Sequence, residues 1–238
     1  MPTAKPTAAA VKREVAALAD PVRALTLQRF FRSGPGDYGE GDRFLGLTVP
    51  DERQVVRAFP TLPLPEITKL LRSPFHEHRL IALLILAHQH ERADAPGQLE
   101  LHRFTLDHIA AINNWDLVDS CAATLVGTHI PTQPKLPDTL AASPNLWARR
   151  IAIVSTFAEL RANRTAATLR IAERLLDDRH DLIHKATGWL LREAGKRSLP
   201  DLLHFLRTHY VRLPRTTLRY AIERLDPLDR KQWLAGPQ

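Results

Sequence analysis

With 238 residues the chain is long enough to bury a large core unaided, and its single cysteine excludes an internal disulfide framework and fits a reducing compartment. No stretch approaches the ~18 apolar residues of a membrane span, and residues 1–10 lack the apolar core of a secretion signal, so we expect a soluble, non-secreted protein. The formal charge is +7, and its excess lies in the second half: residues 1–119 carry 14 Lys and Arg against 15 Asp and Glu, and residues 120–238 carry 19 against 11. A one-sided basic surface indicates a polyanionic partner, with nucleic acid the commonest and an anionic membrane face next.

The first elements in chain order are two short helices. Residues 8–19 place three aliphatic side chains on one helical face. Asp20-Pro21 has the residue types preferred at the N-cap and the first position of a helix. We expect this second helix to continue through Phe30-Phe31 and to stop in Ser33-Gly34.

A glycine-rich segment follows, residues 34–46, which holds five of the ten glycines. It predicts an irregular loop with several special backbone conformations. It lacks the ending and the strand-to-helix setting of a nucleotide-binding loop, so nucleotide binding is not expected. Two helix starts come next, at Thr48 with an acidic first turn and at Leu62-Pro63.

From Ser73-Pro74 onward the sequence is helical and repeats. Alanines that suit close helix contacts fall at positions 82, 122, 152, 186 and 221, at intervals of 40, 30, 34 and 35 residues. Such periods, with one helix pair per unit, are typical of HEAT or armadillo solenoids. No pattern predicts a strand, so the fold class is all-α, with a loop over residues 130–137.

The segment 113–125 reads as one helix. Trp115 and Asp119 are then four residues apart on one face. Apolar residues from Leu117 to Leu125 form a stripe on another face, through which the helix can pack. An indole and a carboxylate would therefore project side by side; alternatively, Trp115 is a packed aromatic and Asp119 a solvated charge.

A solenoid usually binds its ligand along its concave face. The residues that we expect there, beside Trp115 and Asp119, are Trp147, Arg149, Arg150, His184, Lys185, Trp189, Arg192, Arg215 and Arg219. They would line a basic groove of a width that suits a nucleic-acid duplex, where Arg and Lys hold phosphates without reading the sequence.

One carboxylate in a basic, indole-lined groove indicates a particular chemistry. Because it repels phosphate, its use is to stabilise positive charge or to orient water, while indole faces attract cations. Both functions suit hydrolysis of the bond between a sugar and a cationic base, since departure of the base leaves an oxocarbenium-like sugar. An alkylated purine is such a base and a good leaving group.

Several motifs carry a family resemblance over residues 20–225. QRFF at 28–31, GPGDYGEGD at 34–42 with FLG at 44–46, NWDLVD at 114–119, LWARRIAI at 146–153 and KATGWLLRE at 185–193 resemble the AlkD-type DNA alkylation repair glycosylases. The resemblance implies that Asp119 is the catalytic carboxylate, that Trp115 and Trp189 flank the lesion and that Arg150 grips a phosphate. Further DNA contacts are expected from Arg149, Lys185, Trp147, Arg192 and Phe30, the last where some members have Tyr.

The resemblance also implies an architecture and partners. We expect a right-handed solenoid of HEAT-like repeats, one domain over 1–238, with N-terminal helices and the glycine-rich loop in 1–72 and stacked helix pairs in 73–235. The expected activity is a DNA N-glycosylase for cationic alkylpurines of the 3-methyladenine or 7-methylguanine type. It would need no cofactor, metal or membrane, bind double-stranded DNA as a monomer, and work in the cytoplasm at the bacterial nucleoid.

Two other functions are compatible with the same fold. A non-catalytic DNA-structure binder would have little use for Asp119, and a protein-binding HEAT adaptor predicts an apolar concave ridge. His76, His78, His88 and His90 invite a metal-site interpretation. Their i,i+2 spacing points each pair to different helix faces, and no metal-ligand spacing is present, so we expect solvated or rim histidines.

Overall fold

The structure, a computed structural model, describes residues 6–236. The prediction of no secretion signal falls partly on residues 1–5, which lie outside this range. The α-helices are α1 (Ala8–Ala17), α2 (Pro21–Phe30), α3 (Val49–Ala58), α4 (Leu64–Leu71), α5 (His76–His90), α6 (Ala95–Asp107), α7 (Trp115–Leu125), α8 (Leu136–Ala141), α9 (Leu146–Ser155), α10 (Phe157–Arg161), α11 (Ala166–Arg174), α12 (Asp181–Gly195), α13 (Leu199–His209), α14 (Arg215–Ala221) and α15 (Pro227–Ala235). Within residues 6–236 the extended structure is limited to one isolated bridge, between Arg43 and Phe75. The all-α prediction is confirmed.

Local sequence signals set the helix starts. The Asp20 carboxylate accepts hydrogen bonds from the backbone N–H groups of Val22 and Arg23, both at 3.0 Å, and caps α2. Thr48 and Asp51 form a reciprocal capping box at α3. Some predicted bounds were wrong by a residue or two, as is usual at helix ends: α1 ends at 17 and α2 at 30, and the loop predicted over 130–137 gives way to α8 at 136.

The chain forms two compact units, residues 1–121 and 122–238, and the boundary falls inside α7. In the first unit α5 is central, because it packs against α1, α3, α4 and α6. Twelve of its fifteen residues are buried, including four consecutive polar residues at its start, from His76 to Arg79. This buried polar turn is unusual for a central helix and requires hydrogen-bond partners.

In the second unit α12 is central and packs against α9, α10, α11, α13 and α14. Gly188 shows why a small residue is needed there. A Cβ atom at that position would lie 2.6 Å from the carbonyl oxygen of Thr217 and 2.5 Å from the Cβ of Tyr220. Any larger residue would therefore force α12 and α14 apart.

The five repeat alanines occupy the predicted close contacts. All are at most 1 % exposed, and they lie on α5, α7, α9, α12 and α14. At least one further helix separates each of these helices from the next along the chain. This alternation confirms the prediction of helix-pair repeats.

Candidate functional site

The first turn of α7 carries the predicted tryptophan and carboxylate pair. The side-chain oxygen of Asn114 accepts a hydrogen bond of 2.8 Å from the backbone N–H of Trp115, where the helix begins. Trp115 and Asp119 are both half-buried, whereas Leu117 and Val118 between them are fully buried. The helix thus packs through its apolar stripe and leaves the indole and the carboxylate partly accessible on another face.

An aromatic cluster supports Trp115. Its indole stacks on Phe31 at 5.3 Å between ring centroids and meets the edge of Phe30 at 5.9 Å. Phe31 is buried, but Phe30 is 61 % exposed. Phe31 in turn stacks on Phe44 and lies 5.0 Å from the ring of His76. Phe30 therefore presents a free aromatic surface beside the indole, while Phe31 forms its platform.

A buried ionic network lies beneath this cluster. His76 makes hydrogen bonds through Nδ1 to Asp42, at 3.1 Å, and through Nε2 to Asp116, at 2.7 Å. Arg79 donates to the other oxygen of Asp42 at 2.6 Å. Asp42 lies in the glycine-rich loop. The backbone bridge between the next residue, Arg43, and Phe75 ties this loop to the start of α5. The loop therefore delivers a carboxylate to the N-terminus of α5.

Two members of this network, His76 and Asp42, are charged at neutral pH. Burial lowers the pKa of His76, but the hydrogen bonds to Asp116 and Asp42 outweigh it and raise that pKa to about 9. Burial acts to raise the pKa of Asp42, but His76, Arg79 and Asn114 together hold it below its ordinary value. The imidazolium thus lies between two carboxylates.

Sequence reasoning did not identify Asp42, His76 and Asp116. His76, His78 and His90 are at most 5 % exposed, so their prediction as solvated or rim residues was wrong. His76 is buried because two carboxylates from distant segments neutralise it, and His78 bonds through Nδ1 to the hydroxyl of Ser73 at 2.7 Å. One signal was available, an aspartate at the end of a glycine-rich run. In residues 6–236 no group of three or more His, Cys, Asp or Glu could hold a metal ion.

Two more carboxylates are buried near the network. One oxygen of Glu77 accepts hydrogen bonds from the backbone N–H groups of Leu45 and Gly46, at 2.9 and 2.8 Å, and so fixes the end of the glycine-rich loop. Glu52, on α3, is 4 % exposed. Burial, with the negative charge of Glu77, raises the pKa of Glu52 to about 8. Glu52 is therefore largely protonated at neutral pH.

Glu52→Gln is expected to stabilise the protein increasingly as the pH rises. Because the pKa of about 8 in the folded state exceeds the ordinary value of 4.5, the folded protein retains a proton that the unfolded chain releases, and wild-type stability falls over this interval. The Gln amide does not titrate in this range. Relative to wild type, the free energy of unfolding of the variant should therefore rise by on the order of 2–4 kcal/mol between about pH 5 and 8. Chemical denaturation at several pH values measures this. The exposed Glu14→Gln is the control, and a Glu52→Gln effect that does not change with pH would contradict the assignment.

In the second unit, four predicted residues lie on α12: His184, Lys185, Trp189 and Arg192. Trp189 is half-buried, with its ring 5.9 Å from that of Phe157. Lys185 pairs with Asp181 at 2.7 Å, and Arg192 pairs with Glu223. Both cations are partly exposed, at 42 % and 19 % of their side chains, and are held by exposed carboxylates. Ion pairs with exposed carboxylates contribute little to stability.

The residues predicted on α9 are less accessible than expected. Arg149 is half-buried and bonds to Asp178 at 2.6 Å. Arg150 is 5 % exposed and donates to the carbonyl of Leu182 at 2.6 Å, and Trp147 is 8 % exposed. The expectation of an open indole at Trp147 is corrected, and of the two adjacent arginines Arg150 is the one that packs against a neighbouring helix, because α9 packs against both α8 and α12 and little of its circumference is free.

No helix within residues 6–236 has both the length and the apolar composition to cross a bilayer.

Comparisons with known proteins give the family. A model of the family described as DNA alkylation repair enzyme matches residues 11–225. A solved structure, described as a predicted DNA alkylation repair enzyme from Enterococcus faecalis, shares the fold with a TM-score of 0.66 at 15 % identity, over 88 % of this chain and 97 % of that chain. Among curated proteins there is no match. Because the family model spans nearly the whole chain, this protein belongs to the DNA alkylation repair enzyme family.

Proposed function

We propose that this protein is a DNA N-glycosylase that hydrolyses the bond between deoxyribose and a cationic alkylated purine in duplex DNA. One observation carries the proposal. The accessible Trp115 indole and the Asp119 carboxylate lie one turn apart on the same face of α7, in a member of a DNA alkylation repair family. An adaptor protein would require neither group in this arrangement.

The proposed reaction requires only these groups and water. The N-glycosidic bond breaks, the purine leaves with the bonding electrons, and its positive charge is lost as the charge on the sugar develops. Asp119 would stabilise the oxocarbenium-like sugar and orient a water molecule. The oxygen of this water then bonds to the sugar carbon as one of its protons passes to the Asp119 carboxylate. Trp115 and Trp189 would attract the cationic base through their ring faces. No metal or organic cofactor takes part.

Duplex contacts are proposed for one aromatic residue of the first unit and for three cations of the second unit. Phe30 is 61 % exposed and lies beside Trp115. Arg149, Lys185 and Arg192 are partly exposed cations that could hold phosphates in place of their present carboxylate partners. For Arg150 and Trp147, burial favours a supporting role behind the DNA-facing surface. We propose double-stranded DNA as the partner of a monomeric protein in the cytoplasm.

Trp189→Ala is expected to reduce the preference for alkylated over undamaged duplex by about 2- to 30-fold, the range of one cation–π contact. Binding to undamaged duplex should change less, because that duplex offers no cationic base. Fluorescence anisotropy with both duplexes measures the ratio. Trp233→Ala, on α15 and outside the family match, is the matched control. Equal weakening for the two duplexes would indicate that Trp189 is structural.

The proposal is tested by release of free base from methylated duplex DNA under single-turnover conditions. Release of methylated purines by the wild type would support a glycosylase. Duplex binding without release would favour the non-catalytic DNA binder. Salt dependence separates both DNA-binding functions from a protein-binding adaptor. For a DNA binder the logarithm of the binding constant for duplex should fall by roughly one for each tenfold rise in salt and each phosphate contact.

A further inference from the structure

The buried network joins three segments that are distant in sequence. Asp42 belongs to the glycine-rich loop, His76 begins α5, and Asp116 lies in the first turn of α7. One hydrogen bond of His76 spans 34 positions in the sequence, to Asp42, and the other spans 40 positions, to Asp116. The imidazole therefore links the loop to α7 through α5.

Further contacts pin the same end of α7. The side-chain amides of Asn113 and Asn114 donate to the two oxygens of Asp42, at 3.0 and 3.2 Å. One oxygen of Asp116 accepts from the backbone N–H of Leu117 at 2.8 Å, and the other accepts from His76. Side chains before and after Trp115 are thus held by one hydrogen-bonded network.

The ring of His76 also touches the support of the indole. Its centroid lies 5.0 Å from that of Phe31 and 4.9 Å from that of Phe44, and Phe31 stacks directly on Trp115. His76 therefore reaches Trp115 by two routes, through the carboxylate of Asp116 and through the Phe31 ring.

Because this network is buried, its side chains can adopt few alternative arrangements. His76 and Asp42 are only 2 % and 3 % exposed at their side chains, and Asp116 is 16 % exposed. Two carboxylates, one imidazolium and the guanidinium of Arg79 balance in charge. Buried ion pairs of this kind add little net stability over apolar packing, but they tolerate few alternative arrangements. Such a network suits the positioning of a site more than the strengthening of a core.

We propose that His76 is a positioning residue for the DNA-repair site: through its Nε2 bond to Asp116 it fixes the first turn of α7 and thereby aims Trp115 and Asp119 at the lesion. This inference rests on the proposed glycosylase function. The bond to Asp116 is the decisive one, because Asp116 is on α7 itself, whereas Asp42 is on the loop and contacts the two asparagines that precede α7.

Two amide substitutions separate the two bonds. The amide nitrogen of Gln reaches the position of Nε2, and that of Asn reaches the position of Nδ1. His76→Gln therefore keeps a donor for Asp116, and His76→Asn keeps one for Asp42. We expect His76→Asn to slow single-turnover base release by about 10- to 100-fold, as for the loss of a group that orients a reacting residue. His76→Gln should stay within about threefold of wild type, and both should bind undamaged duplex as wild type does.

His78→Asn is the matched control, since His78 is also buried on α5 but bonds to Ser73. It should release base at about the wild-type rate. Equal rates for His76→Asn and His76→Gln, or a rate loss in His78→Asn as large as that in His76→Asn, would overturn the inference.

Amide hydrogen exchange along residues 115–121 gives a readout that does not depend on activity. Faster exchange there in His76→Asn than in His76→Gln, at equal exchange in α12, would support positioning through Asp116 even if the wild type releases no base and the glycosylase proposal fails. Indistinguishable exchange in the two variants would overturn it.

Discussion

Replacing Asp119 by Asn should leave binding to duplex DNA intact and slow release of the alkylated base by at least about 100-fold. Asn has nearly the same shape as Asp but no negative charge. It can neither stabilise the oxocarbenium-like sugar electrostatically nor act as a base toward water. Binding should be unchanged or slightly tighter, since a carboxylate that repels phosphate has been removed.

Single-turnover base release and anisotropy titration on the same methylated duplex measure the two effects separately. Asp107→Asn, an exposed carboxylate at the end of α6, controls for the general loss of a negative charge in the same unit. Its release rate and affinity should match those of the wild type. Wild-type release by Asp119→Asn would refute the catalytic assignment, and equal losses of binding and release would point to a role in recognition.

Asp42→Ala is expected to destabilise the protein by about 3–5 kcal/mol, the range for removing one partner of a buried ion pair. The substitution leaves Arg79, His76 and two side-chain amides without their shared acceptor, all in surroundings largely closed to water. Those donors then bear the desolvation penalty with no compensating hydrogen bond.

The glycine-rich loop contains a matched control. Asp37 also pairs with an arginine, Arg32, at 3.0 Å, but the two side chains are 29 % and 66 % exposed. Asp37→Ala should therefore change the free energy of unfolding by less than about 1 kcal/mol. Urea denaturation of both variants measures the difference. Similar, small effects at the two positions would show that the buried donors around Asp42 do not depend on it as their acceptor.

The helices and the Trp115 and Asp119 pair were predictable because they rest on local periodicity. Four-residue spacing puts Trp115 and Asp119 on one helical face whatever surrounds them. Asp20 and Thr48 mark helix starts by bonding to N–H groups two or three residues away. The repeat alanines report close helix packing, which constrains residue size directly.

Accessibility was less predictable, as Trp147 and Arg150 illustrate. Both fit the polar or aromatic pattern of a groove-facing turn, but α9 is covered by two helices that the pattern does not specify. Phe30 shows the converse: it is next to the buried Phe31 in the sequence, but it is itself 61 % exposed. The exposure of a side chain depends on which other helices pack against its own helix, and the spacing of residues within one helix does not specify this.

By itself the sequence determined an all-helical repeat fold and the indole and carboxylate on α7, because periodicity and capping act over a few residues, and its charge distribution indicated a polyanionic partner. Only the tertiary structure decided that Asp42, His76 and Asp116 form one buried network, since its bonds span 34 and 40 residues and join a loop to two helices. It also decided the charge state of His76, whose two carboxylate partners raise its pKa to about 9 against the effect of burial. Long-range contacts of this kind depend on how helices pack, and no local pattern of residues specifies them.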